Sequence, residues 1–403
     1  MLIARPPELN IELDQIKGKK PVIVQIVPHL GVGGAEQACV DMASAIQVAG
    51  GTAIVISKSG HPTKLQDLKR AGATHINLPV HRKGLFSMWR NIKHLEHILR
   101  DKQADLVHVR SRAPAWPTFF AARHLKIPMI TTCHAPYNGK GRIKKFYNQI
   151  MGSGVRVIAI SDFVANYVRT ILKTPEERIR MIHRCVDLVR FNPDFVTPDR
   201  LIRMTERWRA PDGATVILLP GRLTRWKGHR VLIEAIAELK NPDIFVIIQG
   251  SDQGRHKYRN ELLALIRKLQ LDGQIRIVDH DNDVPAMYRA AHIIVSASID
   301  PEGFGRVAIE GMAMGRLVVA TNHGGSKETI IDGKTGWLVP PNDAGALARV
   351  LTDILALSDQ TRAMIGDQAM AHVIQNFSRE KFMNETLRVY NEVLSMRTAS
   401  ATN

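Results

Sequence analysis

Short apolar runs recur through this chain, and each gives way to a loop marked by Gly or Pro and then to a helical pattern of apolar positions. In the first half the runs fall at 22–27, 54–56, 74–78, 105–109, 129–133 and 156–160; in the second they fall at 215–219, 244–249, 274–278, 292–295 and 317–320. Runs this short and this continuously apolar read as strands buried on both faces. Strand, loop and helix repeated in that order predict parallel sheets with helices on both faces, and loops at the carboxyl ends of the strands are then where ligands bind. At 403 residues and 45% hydrophobic content there is material for two or three domains with substantial cores.

The loop after the run at 292–295 is chemically loaded. Residues 296–310 read Ser-Ala-Ser-Ile-Asp-Pro-Glu-Gly-Phe-Gly-Arg-Val-Ala-Ile-Glu, with Glu302 and Glu310 eight positions apart and a helical pattern from Arg306 onward. Gly303 and Gly305 let bare backbone N–H groups approach an anion at the helix N-terminus. A ligand with a phosphate there would meet Glu302 from the loop and Glu310 from the helix, each able to accept hydrogen bonds from sugar hydroxyls. Taken singly, Glu302 is a loop carboxylate and Glu310 an exposed helix residue; together with the glycines they predict a site. A second loaded loop ends the run at 215–219: Pro220-Gly-Arg222-Leu-Thr-Arg225-Trp-Lys227-Gly228. Fixed cations there could stabilise charge gathering on a departing pyrophosphate, and the plainer reading is a basic turn before a helix.

These motifs resemble the signature of the retaining glycosyltransferases of family 4, and the resemblance covers nearly the whole chain. It implies an α/β fold of two facing Rossmann-like domains (GT-B type) with the ligand cleft between them. By the same resemblance Glu302 touches the donor sugar and Glu310 the nucleotide ribose. Arg222 and Lys227 stabilise the leaving diphosphate, with Arg225 a substitute or a solvated neighbour. Gly33 and Gly34, in Gly-Gly-Ala-Glu36, face the donor phosphates across the cleft. Phe304, Gly305 and Arg306 line the donor pocket, and Asp281 is a candidate contact for the base. His134 reaches the reacting sugar or acceptor, although Ala135 stands where relatives usually have glycine. The expected domains are 1–192 for acceptor binding and 193–377 for the nucleotide sugar. Residues 378–403 are expected to be a helix packing back on the first domain, with a disordered tail from Arg397.

Two other ligand chemistries fit the sequence less well. Gly31, Gly33 and Gly34 have the wrong spacing for a dinucleotide fingerprint, and Ser57-Lys58 follows the next strand where an acidic residue is needed. Asp281-Asn-Asp283 has the form of a cation-binding Asp-x-Asp. Asp283, however, precedes Val284-Pro285 and reads as an N-cap with proline in the first turn. No metal, and no cofactor beyond the nucleotide-sugar substrate, is expected.

The formal charge of +17 is uneven: residues 51–150 hold 18 Lys and Arg against 4 Asp and Glu, while 201–403 are nearly balanced, with 25 against 23. The first half should therefore present a positive field to an anionic partner. Lys140, Arg142, Lys144 and Lys145, followed by Phe146 and Tyr147, form either a solvated helix face or an anchor for anionic lipid headgroups. No apolar run approaches the ~20 residues that span a bilayer, and the opening Met-Leu-Ile-Ala-Arg-Pro-Pro lacks a signal peptide's apolar centre. The expectation is a cytoplasmic protein with peripheral contact at the inner face of the cytoplasmic membrane. Cys39, Cys133 and Cys185 fit neither a disulfide framework nor zinc spacing and are expected to be reduced and structural.

The activity these readings imply is transfer of a hexose-type sugar from a nucleotide-sugar donor to a hydroxyl of an anionic saccharide or lipid-linked acceptor, with the anomeric configuration kept. No enzymic nucleophile is apparent, which favours a front-face mechanism. Arg110-Ser-Arg-Ala-Pro-Ala-Trp116 and the 220–228 stretch resemble the branch assigned to lipopolysaccharide or other envelope saccharides of Gram-negative bacteria. A nucleotide-sugar epimerase of the same fold is one rival. A basic nucleic-acid-binding protein is another; it explains the charge but neither the paired glutamates nor Arg222 and Lys227, so no nucleic-acid partner is expected.

Overall fold

The structure, a computed structural model, describes residues 9–402 except 17, 32, 83, 138 and 140. The chain divides into two compact units, Met1–His183 with Arg379–Asn403, and Arg184–Ser378. In the first unit the strands are β1 (Val22–Ile26), β2 (Thr52–Ser57), β3 (Thr74–Asn77), β4 (Leu106–Val109), β5 (Met129–Cys133), β6 (Arg156–Ala159) and β7 (Ile179–Met181). Between them run α1 (Gly34–Val48), α2 (Pro62–Arg70), α3 (Leu85–Asp101), α4 (Arg112–His124), α5 (Arg142–Gln149) and α6 (Asp162–Thr170). The sheet is parallel throughout, in the order β3-β2-β1-β4-β5-β6-β7. β4 and β5 are buried along their whole length, as strands covered by helices on both faces must be.

The second unit follows the same logic. It contains α7 (Pro198–Trp208), β8 (Thr215–Pro220), α8 (His229–Leu239), β9 (Ile244–Gln249), α9 (His256–Lys268), β10 (Ile275–Val278), α10 (Val284–Ala290) and β11 (Ile293–Ser296). It continues with α11 (Arg306–Ala313), β12 (Leu317–Thr321), α12 (Ser326–Thr329), β13 (Trp337–Val339), α13 (Ala344–Ala356) and α14 (Asp359–Asn376). This sheet is also parallel, in the order β10-β9-β8-β11-β12-β13. Its core packs Ile217, Leu219, Val246, Ile248, Ile293 and Val295 of the strands against Leu232, Ile236, Leu347 and Leu351 of the helices. In each sheet the strand order reverses once, beside β1 and β4 in the first and beside β8 and β11 in the second. At such a switch point neighbouring crossovers depart to opposite faces and leave a crevice at the carboxyl ends.

The stretch His108–Trp116, whose proline suggests a loop at the end of its strand, is largely regular: β4 runs to Val109 and α4 begins at Arg112. Pro114 sits in its first turn, where no backbone N–H is needed, and Pro117 forgoes only one helical bond. The final helix, α15 (Arg379–Thr402), does not give way to a tail at Arg397. The Arg397 guanidinium donates to the backbone carbonyl and the carboxylate of Asp105, which holds the helix end against the start of β4. Further along α15, Tyr390 is fully buried and its hydroxyl meets Nδ1 of His108 at 2.7 Å. Glu392 pairs with both Arg156 and Arg180. Cys39 and Cys133 are buried free thiols whose pKa burial pushes up to about 12, so neither forms a thiolate at neutral pH.

Candidate active site

The two loaded loops of the second unit flank its switch point, one following β8 and the other β11. Backbone bonds join them: Ile299 donates to the Trp226 carbonyl at 2.7 Å. Gly228 makes this approach possible, since it has φ +71° and a Cβ there would lie 1.7 Å from the Ala297 carbonyl oxygen. That close fit sets Lys227 beside Glu302, Nζ to Oε1 at 2.7 Å, with both side chains 12% exposed. Ser296 and Ser298 also donate to Oε1. Burial pushes the Glu302 carboxyl up, but the Lys227 charge and the hydrogen bonds outweigh it and hold the group below its usual value. All three donors converge on Oε1, which among the described residues leaves Oε2 to accept from a ligand hydroxyl. Lys227 also lies over the Trp226 ring, 4.5 Å from its centroid, so its ammonium is fixed from two sides.

A turn further on, Glu310 is buried rather than exposed on its helix. Arg306, one turn earlier on α11, donates to Oε1, and the hydroxyl of Tyr288 donates to Oε2 at 2.8 Å. Tyr288 is fully buried, and burial with the Glu310 charge raises its phenol well above the ordinary range, so it remains a neutral donor. Arg306 Nε is buried without a hydrogen-bond partner among the described residues. Phe304 is buried against the Phe377 ring. Gly305, at φ +93°, is the residue before α11, whose first-turn N–H groups carry no side-chain cap. The loop after β12 closes on this one: Gly325 donates to the Glu302 carbonyl at 2.9 Å, and His323 Nε2 meets the Ser298 carbonyl at 2.8 Å.

The remaining candidates of this unit are placed differently. Arg222 is exposed, following β8. Arg225 points away toward α9, pairing with Glu261 at 2.6 Å and lying over the Tyr258 ring. Asp281 is paired with Arg207, and Asp283 with Arg200. Asp283 also accepts from the Ala286 N–H, with proline in the first turn of α10, and so is the N-cap anticipated from sequence. Both carboxylates of the Asp-x-Asp thus already face guanidinium groups. Among the described residues no cluster of three or more His, Cys, Asp or Glu has the geometry to hold a metal.

In the first unit Gly33 is the N-cap of α1 and Gly34 its first residue, with Glu36 in the first turn. His134 directly follows β5 and is half-buried. Beneath these loops lies a buried polar cluster. Arg110 donates to Oε1 of Gln25, at 2.9 Å from Nη2, and Gln25 donates to the Cys39 carbonyl. His108 Nε2 meets Thr132 at 2.6 Å. Burial, then the charges of Arg110 and His134, push the His108 pKa well below the usual value, so its ring is neutral. Arg112 donates to Asn148 and stacks 4.3 Å from the Tyr137 ring, and Trp116 Nε1 donates to the Tyr147 carbonyl. Those two residues fasten α5 to α4. Lys140 of the basic run lies outside the described residues.

Sequence reasoning missed Ser298, Tyr288 and Trp226 as neighbours of the charged groups. Trp226 was within the motif and could have been found as an aromatic adjoining Lys227; a serine past a strand and a tyrosine in a helix carry no such signal.

Parallel α/β units with charged loops at their switch points are the architecture of GT-B type glycosyltransferases. Residues 203–372 match the family model for glycosyl transferases group 1, and residues 32–190 that for Glycosyltransferase Family 4. The crystal structure of a glycosyltransferase from Rickettsia africae ESF-5 is 37% identical, with a TM-score of 0.84 covering 93% of this chain and 99% of that one. That of Anabaena HepE with UDP and glucose shares the fold at 20% identity, with a TM-score of 0.79 over 92% of this chain and 100% of that one. D-inositol 3-phosphate glycosyltransferase of Corynebacterium efficiens is 32% identical over 288 residues, 66% of each chain. The chain belongs to the family 4, group 1 glycosyltransferases, retaining enzymes that draw their sugar from a nucleotide-sugar donor.

Proposed function

We propose that this chain transfers a hexose from a nucleotide diphosphate sugar to a hydroxyl of an anionic, lipid-linked saccharide, in the making of lipopolysaccharide or another envelope polysaccharide at the inner face of the cytoplasmic membrane. The observation that carries the reading is the largely buried Lys227–Glu302 pair at the switch point, with one carboxylate oxygen tied down and the other without a hydrogen-bond donor among the described residues. Oε2 of Glu302 is suited to accept from a hydroxyl of the donor sugar. Lys227 and the exposed Arg222 supply cations for the diphosphate, and the α11 N-terminus after Gly305 supplies backbone N–H groups. Glu310, braced by Arg306 and Tyr288, is suited to accept from the ribose, with Arg306 Nε held in reserve for the nucleotide. Gly33 and Gly34 open the α1 N-terminus to phosphate, and His134 is assigned to the reacting sugar or acceptor. Asp281 is assigned to the base.

In the front-face reaction the acceptor oxygen bonds to the anomeric carbon as the bond to the β-phosphate oxygen breaks on the same face. The acceptor proton passes to the departing phosphate. Fixed cations stabilise the charge that grows there without reorganising. An anionic acceptor accords with the net charge of the first half, and the Corynebacterium relative is named for a phosphorylated substrate, D-inositol 3-phosphate.

The test begins with a thermal-shift screen of nucleotide sugars, since a ligand at ~100 times its dissociation constant adds about 2.7 kcal/mol of stability. The stabilising donor is then incubated with bacterial envelope glycolipids and excess chelator. Sugar incorporated into the lipid fraction with the donor's anomeric configuration is the expected result. Loss of transfer that magnesium restores would contradict the metal-independent reading and revive Asp281 and Asp283. Conversion of the donor without acceptor, to an epimer or its free sugar, would replace the transferase by the epimerase.

A further inference from the structure

We propose that the first turns of α3, α4 and α5 form a single membrane-docking face of the first unit, and that its partner is a bilayer surface rich in anionic headgroups. The inference rests on the lipid-linked acceptor proposed above for its purpose, and on the following observations for its place.

Five large apolar side chains that a soluble surface would ordinarily cover are left in solvent here: Leu85, Phe86 and Trp89 on α3, and Ile143 and Phe146 on α5, between 58% and 85% exposed. Phe120, two turns along α4, is 45% exposed and stacks on Trp116. α4 lies between the two groups. Helices α3 and α4 both run back between parallel strands, and Glu96 Oε1 meets His124 Nδ1 at 2.8 Å at nearly the same distance from the two helix starts. The first turn of α3 therefore lies level with that of α4. On the other side, Trp116 of α4 has its ring centroid 5.3 Å from that of Phe146 on α5. Phe86 and Trp89 stack on one another at 6.3 Å, presenting a rigid aromatic pair.

The charge around this patch has one sign. No Asp or Glu occurs between Asp67 and Glu96, or between Asp105 and Asp162, so the segments forming the patch contain no carboxylate. Arg82, Arg90, Arg142, Lys144 and Lys145 are all exposed. A second copy of the chain would bring like charges together, and nucleic acid would gain little from exposed Leu and Ile. An anionic bilayer rewards both components, basic residues at the headgroups and Leu, Ile, Phe and Trp at the acyl boundary. No helix among the described residues is long and apolar enough to cross a membrane, so contact of this kind is interfacial. The face lies at the carboxyl edge of β4 and β5, the edge that carries His134. Docking there brings a lipid-borne hydroxyl to the acceptor loops.

The test uses the full chain in flotation with phosphatidylcholine vesicles, with and without phosphatidylglycerol, over a range of salt. Three variants accompany it: Phe86→Ser with Trp89→Ser, Ile143→Ser, and Lys144→Glu with Lys145→Glu. All replace exposed side chains, and donor binding by calorimetry checks that each remains folded. The expected result is flotation only with phosphatidylglycerol, reversed as salt screens the field, and about tenfold weaker in each variant. Equal binding to both vesicles, no binding, or variants that float like the wild type would overturn the proposal. So would apolar variants that abolish only a dimer, or a nucleic acid affinity that those variants leave intact. Vesicle binding without any donor binding would sink the transferase reading while leaving this face standing; donor binding without vesicle binding would do the reverse.

Discussion

His229 opens α8 directly behind Lys227, fully buried, and burial with the Lys227 charge lowers its pKa to about 4 from an ordinary 6.5. Between those values the unfolded chain binds a proton that the folded chain does not. Stability therefore falls as pH drops through that window, by about 3 kcal/mol across it. His229→Gln should reduce the slope by His229's share and leave that of His108, also held neutral by burial, whether or not it lowers the neutral-pH plateau; urea unfolding across the window tests it, and an unchanged slope would contradict a buried neutral ring at His229. Glu302, with its pKa held down, works in a separate range: its stabilisation is present above the unfolded carboxylate value and is lost as pH falls through the lower folded one. At this scale the charged residues were legible because Lys227 and Glu302 stand in Gly- and Pro-marked loops that follow apolar runs. Ser298 and Tyr288 were not, since their partners come from other segments and no periodicity announces them. The burial of Glu310 was missed for the same reason: its cover is Tyr288 on α10, one crossover earlier in the chain.

Among the elements, strands and most helices were legible from period and punctuation, and the errors have a physical pattern. α4 begins within the proline-marked stretch that ends at Trp116: it accommodates Pro114 where no donor is required and forgoes one bond at Pro117. The end of α15 reads as a tail because chain termini are usually poorly ordered, whereas Arg397 gains a carboxylate and two carbonyl acceptors at Asp105 and Ala104. α15 buries Phe382, Met383, Leu387, Tyr390, Val393 and Leu394 within the first unit. Truncation after Ser378 should accordingly strip hydrogen-exchange protection from β1, β4 and β5 while β8 to β12 keep theirs. Equal loss in both sheets, or none in either, would contradict that assignment. Tyr390→Phe is the milder version, leaving His108 Nδ1 only its longer contact with Arg110 Nη2 at 3.4 Å, at a cost of about 1 kcal/mol.

For the whole molecule, alternation of strand and helix implied parallel sheets, but it does not encode strand order, so the meeting of the β8 and β11 loops became visible only in three dimensions. That meeting supports the central claim: Glu302 serves the part of the donor that reacts, and Glu310 the part that only binds. The most direct measurement is calorimetric titration of free nucleoside diphosphate and of nucleotide sugar into wild type, Glu302→Gln and Glu310→Gln, beside steady-state turnover. Glu302→Gln should bind free nucleotide like the wild type while turnover falls on the order of 10²-fold, because its idle oxygen meets only the sugar. Glu310→Gln should weaken nucleotide and nucleotide sugar alike. Matching losses of free-nucleotide affinity in the two variants would contradict the account.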